Sequence, residues 1–276
     1  MTAIFTCKHG RDQVNALFME NMRWLRKKFD IEVFVATTKG EKWEENWIHS
    51  IKFSNYPLGS KWNASIQLAL NSNADRFMGM GDDDLISQDS FAKILETEGH
   101  HVGTKSVVFI EPYRKEAIRG VYTEDCDKLV GPGRTFSREA IINSSWSIQV
   151  KLIKEMHNRG VLYRRGQVIQ MNLAQATYLD KRKLAQILPA TKRFEFFGAK
   201  HNSGMDHTSD MNLVLANYMP KAIKLPHEII DVKTEENIWS FDRRTAGKKG
   251  DMVDYAESIA WLPAKMKKQL NQFKKK

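Results

Sequence analysis

Cysteine is almost missing from this chain. Cys7 and Cys126 are the two that it has, and two thiols support neither a disulfide framework nor a zinc cluster. A reducing, cytoplasmic setting is the expectation. Long apolar runs are missing as well. No stretch approaches the ~20 residues of a membrane-spanning helix, and no basic segment leads into a long apolar one at the start, so neither a transmembrane segment nor a secretory signal is expected. Acidic charge is in deficit: 33 Asp and Glu stand against 43 Lys and Arg, for a formal net charge of +10. Internal repeats and long linkers are also missing, which points to one domain rather than several. Hydrophobic residues make up 42% of the chain and include seven Trp, enough for a real core.

What is present centres on one stretch. Asn73-Ala74-Asp75 is followed by Arg76-Phe77-Met78-Gly79-Met80-Gly81-Asp82-Asp83-Asp84-Leu85-Ile86-Ser87. The short apolar run reads as a buried strand of about 4–8 residues, and three carboxylates crowd its C-terminal end. In an open α/β sheet that end is where ligands bind. Crowded carboxylates repel each other unless a cation sits among them, and a hard divalent ion shared with substrate phosphates is the usual resolution. The plainer alternative is a solvated Asp-rich turn carrying a helix N-cap.

Strands and helices alternate around this stretch. Strands are expected at 2–6, 31–36 and 106–110. Val14, Leu17, Phe18, Trp24, Leu25 and Phe29 predict a helix over 12–29, with Asp12 near its start. Short helices are expected over Glu41–Trp47 and Ser90–Leu95, and a longer one follows the Pro57-Leu58-Gly59 turn, where Ile66, Ala69 and Leu70 repeat at helical spacing. Such alternation predicts an α/β fold with a parallel layer, at least through residue 110. Residues 111–135 read as a polar, turn-rich loop, and Ile148–Arg159 and Leu213–Tyr218 read as helices.

Asn55, Gly59, Lys61 and Asn63 lie in the turn and helix ahead of the acidic strand end. This order of turn, helix, strand and acidic cluster resembles the nucleotide-sugar-binding half of GT-A fold glycosyltransferases, especially those like family two. In that family an Asn…Gly…(Arg or Lys)-x-Asn turn precedes the helix, and the next strand ends in the metal-binding DXD motif. Thr6-Cys7-Lys8-His9-Gly10-Arg11 stands where the nucleotide-contacting loop belongs. Of the usual Pro-Thr-Tyr-Asn-Arg, Thr6 and Arg11 match directly. Gly131-Pro132-Gly133-Arg134 before a helix resembles the family's acceptor-side turn. Gly204-Met205-Asp206-His207-Thr208-Ser209-Asp210 resembles its later acidic motif, although Met205 replaces the usual Glu before Asp206. The triple Asp leaves the DXD register open.

The resemblance implies a GT-A-like, Rossmann-related fold: a mixed, mainly parallel sheet flanked by helices in a single domain. Residues 1–110 would form the nucleotide-sugar-binding half, 111–260 the acceptor-binding half, and 261–276 a basic amphipathic tail. Asp82 and Asp84 would hold Mn²⁺ or Mg²⁺, with Asp83 able to replace either. Thr6, Lys8, Arg11 and Asp82 would lie against the nucleotide sugar, with Lys61 and Asn63 on the donor side. Asp206 or Asp210 would take the proton of the acceptor hydroxyl, inverting configuration; each also suits a helix N-cap. His227 is a candidate third metal ligand, ahead of His207, against the plainer reading of a surface or core histidine. His100 and His101 read as ordinary loop residues. UDP-glucose is the default donor.

The acceptor expectation comes from charge. Basic clusters occur at Arg23–Lys28, Tyr163–Arg165, Lys181–Lys183, Asp242–Arg244 and Lys248–Lys249, and residues 262–276 hold six Lys and no acid. Such a field favours polyanions, against the plainer reading of solvated helix faces. The expectation is therefore transfer to a 5-hydroxymethylpyrimidine in double-stranded DNA, similar in role to phage glycosyltransferases, which would act in the host cytoplasm. Trp24, Tyr113, Tyr122 and Trp239 are candidates to stack on bases. A glycan or lipopolysaccharide transferase peripheral to the membrane, a nucleotidyltransferase and a non-enzymatic nucleic-acid-binding protein are the other readings. In the tail, Met266, Leu270 and Phe273 share a helix face, and docking of that face on the domain is the default over a membrane or nucleic-acid contact.

Overall fold

The computed structural model describes residues 1–39, 43–121, 129–144, 163–164, 167–168, 196–197, 209, 213–214, 216, 218–234, 241 and 250–273. In chain order the elements are β1 (Thr2–Cys7), α1 (Asp12–Arg26), β2 (Ile31–Thr37), β3 (Ile48–Lys52), α2 (Leu58–Leu70), β4 (Arg76–Gly79), β5 (Asp84–Leu85), α3 (Gln88–Glu96), β6 (His101–Gly103), β7 (Ser106–Glu111), β8 (Glu116–Val121), β9 (Arg134–Ser137) and α4 (Arg138–Asn143). They continue with β10 (Tyr163–Arg164), β11 (Gln167–Val168), β12 (Lys221–Ala222), β13 (Ile229–Val232), β14 (Asp251–Val253), α5 (Tyr255–Ser258) and α6 (Ala264–Leu270). No helix among the described residues is long and apolar enough to cross a membrane.

Two sheets carry the fold, and β10 and β11 form a separate antiparallel pair. The first sheet runs β12-β6-β9-β4-β1-β2-β3. Its centre is parallel, with β1 between β2 and β4. Every residue of β1 is buried, as a strand covered on both faces must be. Strand alternation sorts its side chains. Ile4, Val33, Val35 and Met78 face one cluster with Phe18, Met22 and Leu25 of α1. Ala3, Phe5, Phe34 and Phe77 face the other with Ile66 and Ala69 of α2. The mixed, mainly parallel sheet flanked by helices is the expected architecture.

The second sheet runs β14-β8-β7-β13-β5. Leu17 of α1 packs with Leu85, Val108, Ile110, Ile230 and Val232 of this sheet. The same cluster takes in Met266 and Leu270, so α6 docks its apolar face on the domain, the default expectation for the tail. Trp261 stacks on Trp24 at 6.1 Å between ring centroids, and Lys265 Nζ donates to Glu20 at 2.7 Å. Trp24 is therefore a packing residue.

Three expectations change. Residues 43–47 form bends and turns rather than a helix. Trp43 and Trp47 are drawn onto the first core cluster, and the Trp47 carbonyl accepts from Val33 N at 2.9 Å, so tertiary contacts compete with helical hydrogen bonding there. The polar stretch 111–135 is partly sheet: β8 turns back on β7 through a hairpin in which Lys115 takes a left-handed φ of 56°. Further on, β9 inserts antiparallel between β4 and β6. Within the expected Leu213–Tyr218 helix, residues 213–214 are helical and Tyr218 is not. The expected Ile148–Arg159 helix and the aromatics Tyr122 and Trp239 lie outside the described residues.

His101 is not a loop residue. It is buried on β6, its ring stacked on Phe136 at 5.0 Å. Burial, then the Arg134 charge, push its pKa down to about 3. An unfolded chain takes up that proton near pH ~6.5 and the folded one does not, so this histidine costs stability as pH falls below that value. His101→Phe is accordingly expected to gain about 2 kcal/mol relative to the wild type between pH ~6.5 and ~5. Urea unfolding at the two pH values measures this, and a difference that stays constant with pH contradicts it.

Candidate functional site

The chain leaves the first sheet at Gly79 and joins the second at Asp84, so the acidic triplet sits at the junction of the two sheets. The turn closes on itself: Gly81 N donates to the Asp84 carboxylate, and Asp84 N donates to Gly81 O at 3.1 Å. A Cβ on residue 81 would overlap an Asp83 carboxylate oxygen and stand 3.0 Å from Asp84 Oδ2. Glycine is needed here because the backbone lies against its own carboxylates. Downstream, Asn21 of α1 exchanges two 3.0 Å hydrogen bonds with the backbone of Ile86. On the other side, Asp84 pairs with Asp231 of β13, and Val232 N donates to Asp83 O at 2.8 Å.

The three acids of the triplet differ in surroundings. Asp82 is 1% exposed. It accepts from His9 N at 3.0 Å and pairs with Arg11 Nη2. Arg11 Nη1 donates to Asp83 Oδ2 at 2.9 Å, so one guanidinium brackets two neighbouring carboxylates. Asp83 in turn faces Asp84 and Asp231. These three each offer an oxygen, and the three atoms lie within 4.8 Å of one another. Lys233 Nζ lies 2.6 Å from Asp231 Oδ1 and 3.9 Å from Asp83 Oδ2.

The electrostatics follow from this packing. Burial, then Asp231 and Asp83, push Asp84 well above the usual carboxylate range. Burial also raises Asp82 to about 6, against the pull of Arg11. It raises Asp231 to about 6 against Lys233. For Asp83 burial is outweighed: Arg11 and Lys233 hold it at about 2. An all-oxygen set of crowded carboxylates fits a hard divalent cation such as Mg²⁺ or Mn²⁺, whose charge relieves the repulsion between Asp83, Asp84 and Asp231.

The remaining expected residues divide by position. Thr6 is buried at the end of β1, and its hydroxyl has no hydrogen-bond partner among the described residues. Lys8 Nζ lies 5.6 Å from the Trp43 ring centroid. Lys61 is fully buried; its ammonium donates to the Lys8 carbonyl and to Asn55 Oδ1 at 2.7 Å, tying the loop after β1 to the turn before α2. Asn63 Oδ1 accepts from Phe196 N at 2.9 Å and Phe197 N at 2.8 Å, and its Nδ2 donates to Phe197 O at 2.7 Å. Asn63 thus holds backbone, and Lys61 bridges one carbonyl to side chains of the neighbouring turns. His227 stacks on Trp261 at 6.2 Å, with its backbone N bonded to Ser90 Oγ, and is not part of the three-carboxylate group. Asp206, Asp210 and His207 lie outside the described residues.

Two residues of the site were not foreseen: Asp231 and Lys233. Their signal lies in Ile229-Ile230-Asp231-Val232-Lys233, where charges interrupt a strand whose four residues are all buried. A charged group in such a run demands a partner, but the run does not say which one.

No protein-family model matches the chain, and no curated protein sequence matches it. Several solved structures resemble it. S. aureus TarS in complex with UDP is 10% identical over 95% of this chain and 69% of that one, with a TM-score of 0.45. The galactosyltransferase LgtC in complex with donor and acceptor sugar analogues is 11% identical over 98% of this chain and 100% of that one, with a TM-score of 0.39. A Drosophila beta-1,4-galactosyltransferase 7 mutant in complex with manganese, UDP-Gal and xylobiose is 15% identical over 52% of this chain, with a TM-score of 0.34; the match spans 51% of that enzyme's chain.

Proposed function

We propose that this protein is a metal-dependent glycosyltransferase that moves a sugar from a nucleoside-diphosphate sugar to a hydroxyl group. The observation that carries the reading is the convergence of Asp83, Asp84 and Asp231 beside the loop after β1. Asp83, Asp84 and Asp231 would hold Mn²⁺ or Mg²⁺, and the ion when bound neutralises the diphosphate that leaves. Asp82 serves the site indirectly, by fixing Arg11 and the His9 backbone. The Thr6 hydroxyl offers the nucleotide an unused hydrogen-bonding group in a buried place. Arg11 orients Asp83. Asp206, with Asp210 next, is the proposed base for the acceptor hydroxyl.

The acceptor we propose is a 5-hydroxymethylpyrimidine in DNA, supported by the net charge of +10 and its clustering. An enzyme working on such a base must reach it in the groove or flip it out. The test is nucleotide release from a panel of nucleotide sugars, beginning with UDP-glucose, in Mn²⁺, with and without DNA carrying hydroxymethylated bases. Release stimulated by that DNA, with a sugar mass added to a nucleoside, is the expected result. Release indifferent to DNA keeps the glycosyltransferase and moves the acceptor to a glycan or lipopolysaccharide. No release with any donor overturns the reading.

A further inference from the structure

Lys233 places a cation among the carboxylates assigned to the metal. Its ammonium lies 2.6 Å from Asp231 and 3.9 Å from Asp83, and its side chain is 7% exposed. The backbone that carries it is fixed: Lys233 N donates to Ile110 O at 2.7 Å, at the end of the pairing between β13 and β7. Any displacement of the charge must therefore come from the side chain. In that same position, beside Asp231, the ammonium lies 5.4 Å from the centroid of the Phe109 ring, whose face attracts cations.

We propose that Lys233 competes with a divalent cation for Asp83 and Asp231 and so sets how tightly the metal is held. The proposal rests on the reading of these carboxylates as a metal centre. An ammonium and a divalent ion on the same two carboxylates repel each other strongly in a buried setting. Metal binding thus requires the ammonium to give up its pairing with Asp231, keeping the Phe109 face beside it or moving to an anion that arrives with the metal. Metal alone then binds weakly. An incoming phosphate strengthens its binding by taking over the ammonium, a coupling that runs equally in both directions.

The experiment is a titration of the purified protein with Mn²⁺ alone, followed by electron paramagnetic resonance of the free ion. Lys233→Met and Lys233→Gln remove the charge and keep much of the side-chain volume; Lys233→Arg keeps the charge. Both neutral variants are expected to bind Mn²⁺ at least about tenfold more tightly than the wild type, and Lys233→Arg no more tightly. Circular dichroism confirms folding of each, and Gln stands in if Met does not fold. Neutral variants that bind no more tightly than a metal-binding wild type overturn the competition and leave the metal centre in place. Absence of Mn²⁺ binding in the wild type and all variants overturns both.

Discussion

Asp84→Asn is expected to lower sugar transfer by at least about 10³-fold while leaving the folded protein as stable as the wild type, or more stable. The two halves of this result have one cause. Asp84 is 3% exposed and lies against Asp83 and its β13 neighbour Asp231. Burial and those two neighbours make its charged form unfavourable, so a neutral isostere relieves the fold. Asparagine also keeps an oxygen to accept from Gly81 N. On the proposed metal reading the variant would lose a carboxylate ligand, and with it stabilisation of the leaving diphosphate; about 4 kcal/mol of such stabilisation corresponds to roughly 10³ in rate. Turnover in Mn²⁺ and urea unfolding on the same preparation check both halves. A variant within about tenfold of wild-type turnover removes Asp84 from the metal set.

Arg11→Met is expected to have the opposite balance, with a loss of stability of about 3–5 kcal/mol near pH ~7, typical of breaking a buried ion pair from one side. Arg11 brackets Asp82 and Asp83 from inside the fold, and methionine takes the guanidinium from Asp82 and leaves Asp83 with Lys233 at 3.9 Å. The sign of the pH dependence follows. In the wild type Asp83 is held at about 2, below its unfolded value, so its pairing contributes stability above pH ~4 that is lost as pH falls through ~2. Without Arg11 both acids titrate higher, and their burden on the fold lifts as they take up protons. The deficit is therefore expected to shrink as pH is lowered from ~7 to ~5. Adding Asp82→Asn to Arg11→Met recovers part of the loss, since the two changes act on one pair. A deficit equal at both pH values, with additive double-mutant energies, contradicts this account.

Much of the architecture was legible because it is local. The buried strand at Thr2–Cys7, the helix with Val14, Leu17, Phe18 and Leu25 on one side, and the apolar run ending in Asp82-Asp83-Asp84 announce themselves through spacing. The docked tail did so too: Met266 and Leu270 are one turn apart and both buried. Where spacing misled, a distant contact had won. A helix was expected over Glu41–Trp47, but Trp43 and Trp47 both pack onto the first core cluster. The polar stretch after Glu111 hid β8, because a strand with exposed residues among buried ones carries little apolar signal.

The site divides in the same way. By itself the chain marked a crowd of carboxylates at a strand end; Thr6 and Arg11 came in through the resemblance to GT-A glycosyltransferases. Only the tertiary structure decided which acids converge. Asp82 turns to Arg11 and the His9 backbone, while Asp83 and Asp84 meet Asp231, which arrives on β13 from far along the chain. It also set Lys61 between the Lys8 carbonyl and the Asn55 side chain, Asn63 on the backbone of Phe196 and Phe197, and His227 against Trp261. The physical reason is that side-chain periodicity reports which face of an element is buried, a property of neighbouring residues. The pairing of β5 with β13 depends instead on sheet register and on packing between distant elements, and no short stretch of residues encodes that.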